Sequence, residues 1–273
     1  MKIGINAVLP HESPRQWAED LAKRGFQASS FPVDYKASDA LIHQYESMAK
    51  AYGITIAEVG IWLSPFVPDE RQAKENQEAC VHELELADML HAGCCVNVSG
   101  AAGERWYGYY PENASEEMYQ RNVAFAQYLL DTVKPKNTWY TLELMPWMLP
   151  DSAEVYLRLL WDVNRERMAV HFDPVNLVNS VEKVRNYQSY MENALRMLAP
   201  YIKSCHMKDF ILGDKFTPDL VEVVPGQGYV DLKRYLELIK RVDPDMPVLF
   251  EHLKNWEEYE QALAYVKGIS DER

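Results

Sequence analysis

An unbroken succession of strand-then-helix segments predicts a single (β/α)8 TIM barrel over residues 1–273. Three observations lead there. Eight such units can be laid along the chain with no linker, low-complexity stretch or internal repeat between them. The length, 273 residues, is close to the roughly 250 typical of one such barrel. Several apolar runs end in a carboxylate or histidine and then break, as strands do when they deliver side chains to a barrel mouth. An open doubly wound sheet is the alternative, but the first turn, Asn6-Ala7-Val8-Leu9-Pro10, lacks the glycine-rich turn expected there.

In order, Lys2 to Val8 reads as the first strand, and Ser13-Pro14-Arg15-Gln16 as a capping box opening a helix that stops at Gly25. Phe26 to Val33 is the second strand, followed by a helix from Ser38 to Gly53. Ile54 to Val59 is the third, followed by a long helix from about Asp69 to Gly93. Cys94 to Ser99 is the fourth, leading into a loop from Gly100 to Ser115 rich in aromatics. Trp139 to Leu144 is the fifth strand, with a helix over 152–164 after it. The sixth ends at Val170-His171-Phe172-Asp173-Pro174, and a helix lies within 184–199. The seventh runs into Ser204-Cys205-His206-Met207-Lys208-Asp209-Phe210, and Asp231 begins the next helix. Pro247 to Leu253 is the eighth, and Asn255-Trp256-Glu257-Glu258 caps the last helix.

Charge and composition narrow the function. The net charge is −13, from 41 acidic and 28 basic residues, which argues against a sequence-independent grip on nucleic acid or an anionic membrane. No apolar run is long enough to span a bilayer, and Met1-Lys2-Ile3-Gly4-Ile5 reads as a strand and not a signal peptide. Cys80, Cys94, Cys95 and Cys205 have no metal-binding spacing, so reduced thiols and a cytoplasmic location are expected.

The chemistry concentrates at four strand ends. Side chains alternate between faces in a strand, so His206 and Lys208 share the face opposite Cys205 and Met207. Two polar groups on the inward face of a buried strand require partners, because an unpaired buried charge is expensive. Glu143, Asp173 and Glu251, ending three other apolar runs, supply them. Successive spacings of 30, 33 and 45 residues are each about one βα unit, so Glu143, Asp173, His206 and Glu251 should converge in one mouth. Three carboxylates and one imidazole suit a single hard divalent ion, with Mn²⁺ the first expectation and Mg²⁺ or Co²⁺ the others. Parity turns Leu249 and Leu253 inward with Glu251 and sends His252 toward the helices, away from the metal. His171, two residues before Asp173, is expected as a satisfied core histidine.

These residues resemble a family. The strand-five Glu, the strand-six Asp, the run His206-Met207-Lys208-Asp209, the lead Pro225-Gly226-Gln227-Gly228-Tyr229-Val230-Asp231 and Glu251 in Val248-Leu249-Phe250-Glu251 are similar to those of the xylose isomerase-like TIM barrels. That sugar phosphate isomerase/epimerase group includes the ketose 3-epimerases. The resemblance implies one divalent ion on Glu143, Asp173, His206 and Glu251, with Glu143 and Glu251 also acting as the acid/base pair on a keto sugar through an enediolate. The chain departs from the epimerase pattern at three places. Asn176 stands where a His is expected, Met145-Pro146-Trp147-Met148-Leu149 lacks a second Glu, and Leu212 lies near the place of an Arg. A lyase, dehydratase or decarboxylase on an oxidised sugar, sugar acid or glycoside is therefore the second expectation.

Lys208 is expected as an oxyanion or phosphate partner or else in a salt bridge, and Asn176 as a sugar-hydroxyl ligand or a cap of its own turn. Trp62, Trp106 and Trp147 each follow a strand end and suit stacking on a sugar face. The loops Gly100–Ser115 and Phe210–Tyr229 should wall the substrate site, although Tyr107, Tyr109 and Tyr110 also suit a subunit interface. The expected partner is a small carbohydrate, with a homo-oligomer or partner subunit also open. A non-catalytic subunit and a DNA-repair nuclease are the remaining readings; the acidic charge and only seven histidines speak against the nuclease.

Overall fold

The computed structural model describes residues 1–271. Eight strands close into one parallel barrel. They are β1 (Lys2–Ile5), β2 (Ala28–Ser30), β3 (Thr55–Gly60), β4 (Cys94–Asn97), β5 (Tyr140–Glu143), β6 (Met168–Phe172), β7 (Ile202–Met207) and β10 (Pro247–Phe250). The order around the ring is β1-β10-β7-β6-β5-β4-β3-β2, with every neighbour pair parallel. The helices α1 (Pro14–Arg24), α2 (Asp39–Tyr52), α3 (Glu70–Met89), α4 (Glu116–Val133), α5 (Ala153–Val163), α8 (Leu232–Val242) and α9 (Trp256–Asp271) each follow one strand unit. The remaining crossover, from β6 to β7, carries two helices instead of the one expected, α6 (Val181–Arg185) and α7 (Tyr187–Leu198). Asn186 lies between them with non-helical backbone.

Local chemistry sets the ends. Ser13 Oγ accepts from Gln16 N, and the Gln16 side chain accepts from Glu12 N, one residue earlier than a reciprocal capping box predicts. Asp69, Ser115, Ser152 and Asp231 cap their helices through the same side-chain-to-backbone bond. Most of the apolar core lies between strands and helices, where Cys205 and Met207 also sit. The barrel floor is a small separate cluster of Ala28, Ala57 and Leu249. Gly4 belongs beside it because a Cβ there would lie 2.1 Å from the Ala28 carbonyl oxygen. All four cysteines are free and buried. Among the described residues, no helix is long and apolar enough to cross a membrane.

One element was not expected. Residues after β7 form an antiparallel hairpin, β8 (Asp209–Leu212) with β9 (Leu220–Val223), within the stretch read from sequence as a loop from Phe210 to Tyr229. Its base is fixed by Asp209, whose carboxylate accepts from the backbone N–H groups of Phe210, Gly226, Gly228 and Val230. Gly228 admits this approach, since a Cβ there would lie 2.2 Å from Asp209 Oδ1. The hairpin stands over the C-terminal mouth of the barrel, where Glu222 reaches Lys208.

Candidate metal centre and active site

Glu143 ends β5, Asp173 follows β6, His206 lies near the end of β7 and Glu251 follows β10. Parallel pairing with matched register brings these ends together, and one ligand atom from each lies within 4.8 Å of the others. His206 turns its Nδ1 toward the group, 3.0 Å from Glu143 Oε1, 3.2 Å from Glu251 Oε2 and 3.7 Å from Asp173 Oδ2. Lys208 Nζ lies 2.7 Å from Glu251 Oε2 and 2.9 Å from Asp173 Oδ2. Those two oxygens are buried and approach the ammonium within ion-pair distance but make no hydrogen bond of good geometry. They are met by the Lys208 and His206 cations and not by neutral donors, and the hard oxygen-rich donor set fits a divalent ion. Asn176 does not cap its own turn through its side chain. Its Nδ2 donates to Glu143 Oε1 at 3.2 Å, and its Oδ1 accepts from Lys208 Nζ at 3.1 Å.

The electrostatics follow from burial and pairing. Burial raises the Glu143 carboxyl above its ordinary value, and the nearby Glu251 charge adds to that. Burial opposes ionisation of Glu251 too, but the His206 and Lys208 cations overcome it and hold its carboxyl well below the usual range. Asp173 is lowered in the same way, with burial outweighed first by Lys208. Burial acts against the charged forms of His206 and Lys208, yet the surrounding carboxylates raise both well above their ordinary values.

Above these groups opens a cavity of about 520 Å³. Trp62, Trp106 and Trp147 line it together with Glu143, Lys208 and Glu251. Trp62 and Trp106 lie 6.5 Å apart, centroid to centroid, and Tyr107 packs edge-on to Trp106 at 4.9 Å. Trp147 is tied across the mouth by its Nε1, which donates to the Tyr107 carbonyl at 2.9 Å. Tyr107 thus lines the cavity, Tyr110 packs below it against Val98, Ala101 and Met148, and Tyr109 is exposed.

Two expectations about the last strand are corrected. His252 does not face away from the mouth. Strand pairing ends at Phe250, and His252 takes a left-handed backbone conformation with φ 59° that breaks the two-residue alternation. Its Nδ1 lies 2.7 Å from Glu222 Oε2, and its ring lines the cavity. For the same reason Leu253 packs with the outer core and not with the barrel floor.

Sequence reasoning missed Glu58. It lies at the centre of β3, wholly buried, and its carboxylate collects polar contacts from around the barrel interior. Ser30 Oγ donates to it at 3.2 Å, Asn6 Nδ2 at 3.3 Å, and Ser204 Oγ also donates. His171 Nε2 is 2.9 Å from Oε1, and His206 Nε2 is 3.4 Å from Oε2. Burial opposes its ionisation, but the two histidines hold its carboxyl well below the usual range. A register shift in the β2–β3 pairing skips Ala57, and this bulge lets Ala57 join the barrel floor while Glu58 meets the inner polar group. The available signal was a lone carboxylate inside the apolar run Ile54-Thr55-Ile56-Ala57-Glu58-Val59. Glu58, His171 and His206 also lie close enough to hold an ion. Both Glu58 oxygens, however, are already engaged by serine, asparagine and histidine.

With the geometry in hand, the chain is placed in the xylose isomerase-like TIM barrel family: the family's sequence model matches residues 16–269, and this protein belongs to it. A comparison with curated proteins finds no match. Solved structures share the fold at low identity. One is a probable 3-DHS dehydratase involved in petrobactin synthesis from Bacillus anthracis (TM-score 0.75, 14% identity, 100% of both chains covered). A second is D-psicose 3-epimerase with D-tagatose from Clostridium cellulolyticum H10 (TM-score 0.72, 15% identity, 98% of this chain and 99% of that one). A third is a xylose isomerase-like TIM barrel protein from Mycobacterium smegmatis in complex with magnesium (TM-score 0.70, 14% identity, 94% of this chain and 89% of that one). The family and its structural neighbours are mostly enzymes, among them epimerases and a dehydratase.

Proposed function

We propose that this protein is a divalent-metal-dependent isomerase or epimerase of a keto sugar or close derivative. The observation that carries the reading is the convergence of Glu143, Asp173, His206 and Glu251 at the base of a tryptophan-lined cavity. These four residues would hold one ion, His206 through Nδ1, with Mn²⁺ first and Mg²⁺ or Co²⁺ next. The magnesium complex of a family relative supports a metal of this class. Such an ion supplies Lewis acidity to a carbonyl and its neighbouring hydroxyl, making the proton on the adjacent carbon removable.

The chain's own groups supply the rest. Glu143 and Glu251 arise from β5 and the end of β10, on different sides of the ring, so one takes the proton and the other returns one to the opposite face. Asn176 holds the orientation of Glu143 by its 3.2 Å bond, and Lys208 sets that of Glu251. Lys208 and Asn176 also present polar atoms to sugar hydroxyls, while Trp62, Trp106 and Trp147 offer faces to the ring carbons. The four buried free cysteines suit a reducing, cytoplasmic setting.

A second reading, a dehydratase or other lyase on an oxidised sugar or sugar acid, is favoured by Lys208. An ammonium 2.7 Å from Glu251 could assist a departing hydroxyl after the same proton removal. One experiment separates them: incubate the Mn²⁺-loaded enzyme in D₂O with keto sugars and sugar acids, and follow products by NMR and mass spectrometry. Deuterium beside a carbonyl with the carbon skeleton and oxygen count unchanged is expected. Loss of water or a fragment supports the lyase. Turnover without any solvent deuterium contradicts the acid/base roles of both glutamates.

A further inference from the structure

Beside the metal-centred cavity lies a second lobe of about 570 Å³. The two adjoin, since Pro146, Trp147, Asn176 and Glu222 line both. Their chemistry differs. The first lobe holds the glutamates, Lys208 and His252. The second is made by Val175, Val178, Val181 and Val184 from the β6-to-α6 segment facing Phe210 and Leu212 of the hairpin. No lysine, arginine or histidine lines it. Of its two carboxylates, Glu222 is paired with His252 at 2.7 Å, and Asp219 is paired through Oδ2 with Lys215 at 2.7 Å while its Oδ1 is buried without a partner.

We infer that the second lobe is a subsite for an uncharged apolar substituent of the substrate, so that the protein acts on a sugar carrying a hydrophobic group and not on a free or phosphorylated sugar. The inference rests on the proposed sugar chemistry at the mouth. A phosphate on the extension would find no cation in this lobe and would face Asp219 and Glu222. An aryl or alkyl group leaving the sugar past Trp147 would instead meet the valines and Phe210, and its burial there removes apolar surface from water on both sides. Asn179 Nδ2 donates to the Pro146 carbonyl at 3.0 Å, which ties the β5 and β6 exits together along one side of the second lobe.

The test uses the methyl and 2-naphthyl β-D-glycosides of 3-keto-glucose, which carry the carbonyl the proposed site needs, as probes of the Mn²⁺-loaded full chain, by calorimetry. The naphthyl glycoside should bind about tenfold or more tighter than the methyl one, given the apolar area it can bury. Val181→Asp and, from the facing wall, Leu212→Asp should each remove most of that advantage while binding Mn²⁺ as the parent does. Val181 and Leu212 are only partly buried, and circular dichroism together with Mn²⁺ binding checks that each variant is folded. Equal affinities, no naphthyl binding, or an advantage that survives both variants overturns the subsite. A change of molar mass in both variants on analytical ultracentrifugation also overturns it, making the lobe a contact between copies of the chain. Failure of the metal reading appears separately, as absence of Mn²⁺ binding before any glycoside is added.

Discussion

Two clusters of carboxylate and imidazole share His206 and lie one above the other in this barrel. In the outer one, at the strand ends, Asp173 Oδ2 and Glu251 Oε2 are met by the Lys208 and His206 cations and by no neutral donor, and a cavity opens above. In the inner one, Glu58 is met by Ser30, Ser204, Asn6, His171 and His206, and both of its oxygens are engaged. The residue types are nearly the same, so type does not separate a binding site from a structural one. Saturation does. A buried carboxylate filled by serine and asparagine donors as well as histidine fixes its neighbours, while one met only by cations at the edge of a cavity suits the proposed exchange for a metal ion. His206 joins the two roles, with Nδ1 among the outer carboxylates and Nε2 toward Glu58.

The largest effect expected is on chemistry at the outer cluster. Glu143→Gln and Glu251→Gln should each lower solvent-deuterium exchange by about 10²–10⁴-fold in preparations where added Mn²⁺ restores occupancy. Exchange at the parental rate in either variant would show that its carboxylate moves no proton. Next comes the inner cluster. As a positioning residue, Glu58 should lower Mn²⁺ affinity by about 10–100-fold when changed to Gln, measured at a temperature where circular dichroism shows the variant folded. An unchanged Mn²⁺ affinity breaks the proposed link through His206, and loss of one of two bound ions would make the inner cluster a metal site itself.

A smaller effect belongs to the cavity wall. Trp106→Ala should raise KM or lower kcat by about tenfold, as loss of one aromatic contact does, with Mn²⁺ stoichiometry unchanged. A change confined to oligomeric state would assign this aromatic wall to an interface. The smallest effect sharpens the saturation rule on a third buried carboxylate. Glu83 accepts one bond, from Tyr35 N at 3.3 Å, and its other oxygen has none. Burial pushes its carboxyl up to about 7 from 4.5. Folding thus favours its protonated form, so its contribution to stability is greatest below about pH 4.5 and declines as pH rises toward 7. Glu83→Gln should therefore gain stability over the parent at pH 8 by on the order of 1–3 kcal/mol, with a smaller gain at pH 5. Thermal melts at both pH values check this, and a pH-independent difference contradicts it.

Much of this arrangement was readable before the structure. Glu143, Asp173, His206 and Glu251 each follow a short apolar run, and barrel topology alone brings such ends together. Lys208 was legible by parity with His206. The failures have physical causes too. Parity says nothing past the last paired residue, so the left-handed turn at His252 could not be seen and its ring was placed on the wrong side. The β8–β9 hairpin depends on Asp209 gathering N–H groups from residues 17 to 21 positions later, an interaction with no local periodicity. Glu58 did leave a trace, a charge within an apolar strand, and the same argument applied to His206 would have found it. The bulge that skips Ala57 was not visible, because a register shift belongs to the pairing with β2. The departures at Asn176 and Met145–Leu149 were visible as differences, but only the structure shows Asn176 linking Glu143 to Lys208.

The central claim is that an ion belongs to the outer cluster and not to the inner one. Mn²⁺ titration followed by electron paramagnetic resonance, on the parent, Asp173→Asn and His171→Asn, addresses it directly. Asp173 lies in the outer cluster alone and His171 in the inner alone. One ion per chain is predicted for the parent and for His171→Asn, with binding lost in Asp173→Asn. Full occupancy in Asp173→Asn, or loss only in His171→Asn, would contradict the account.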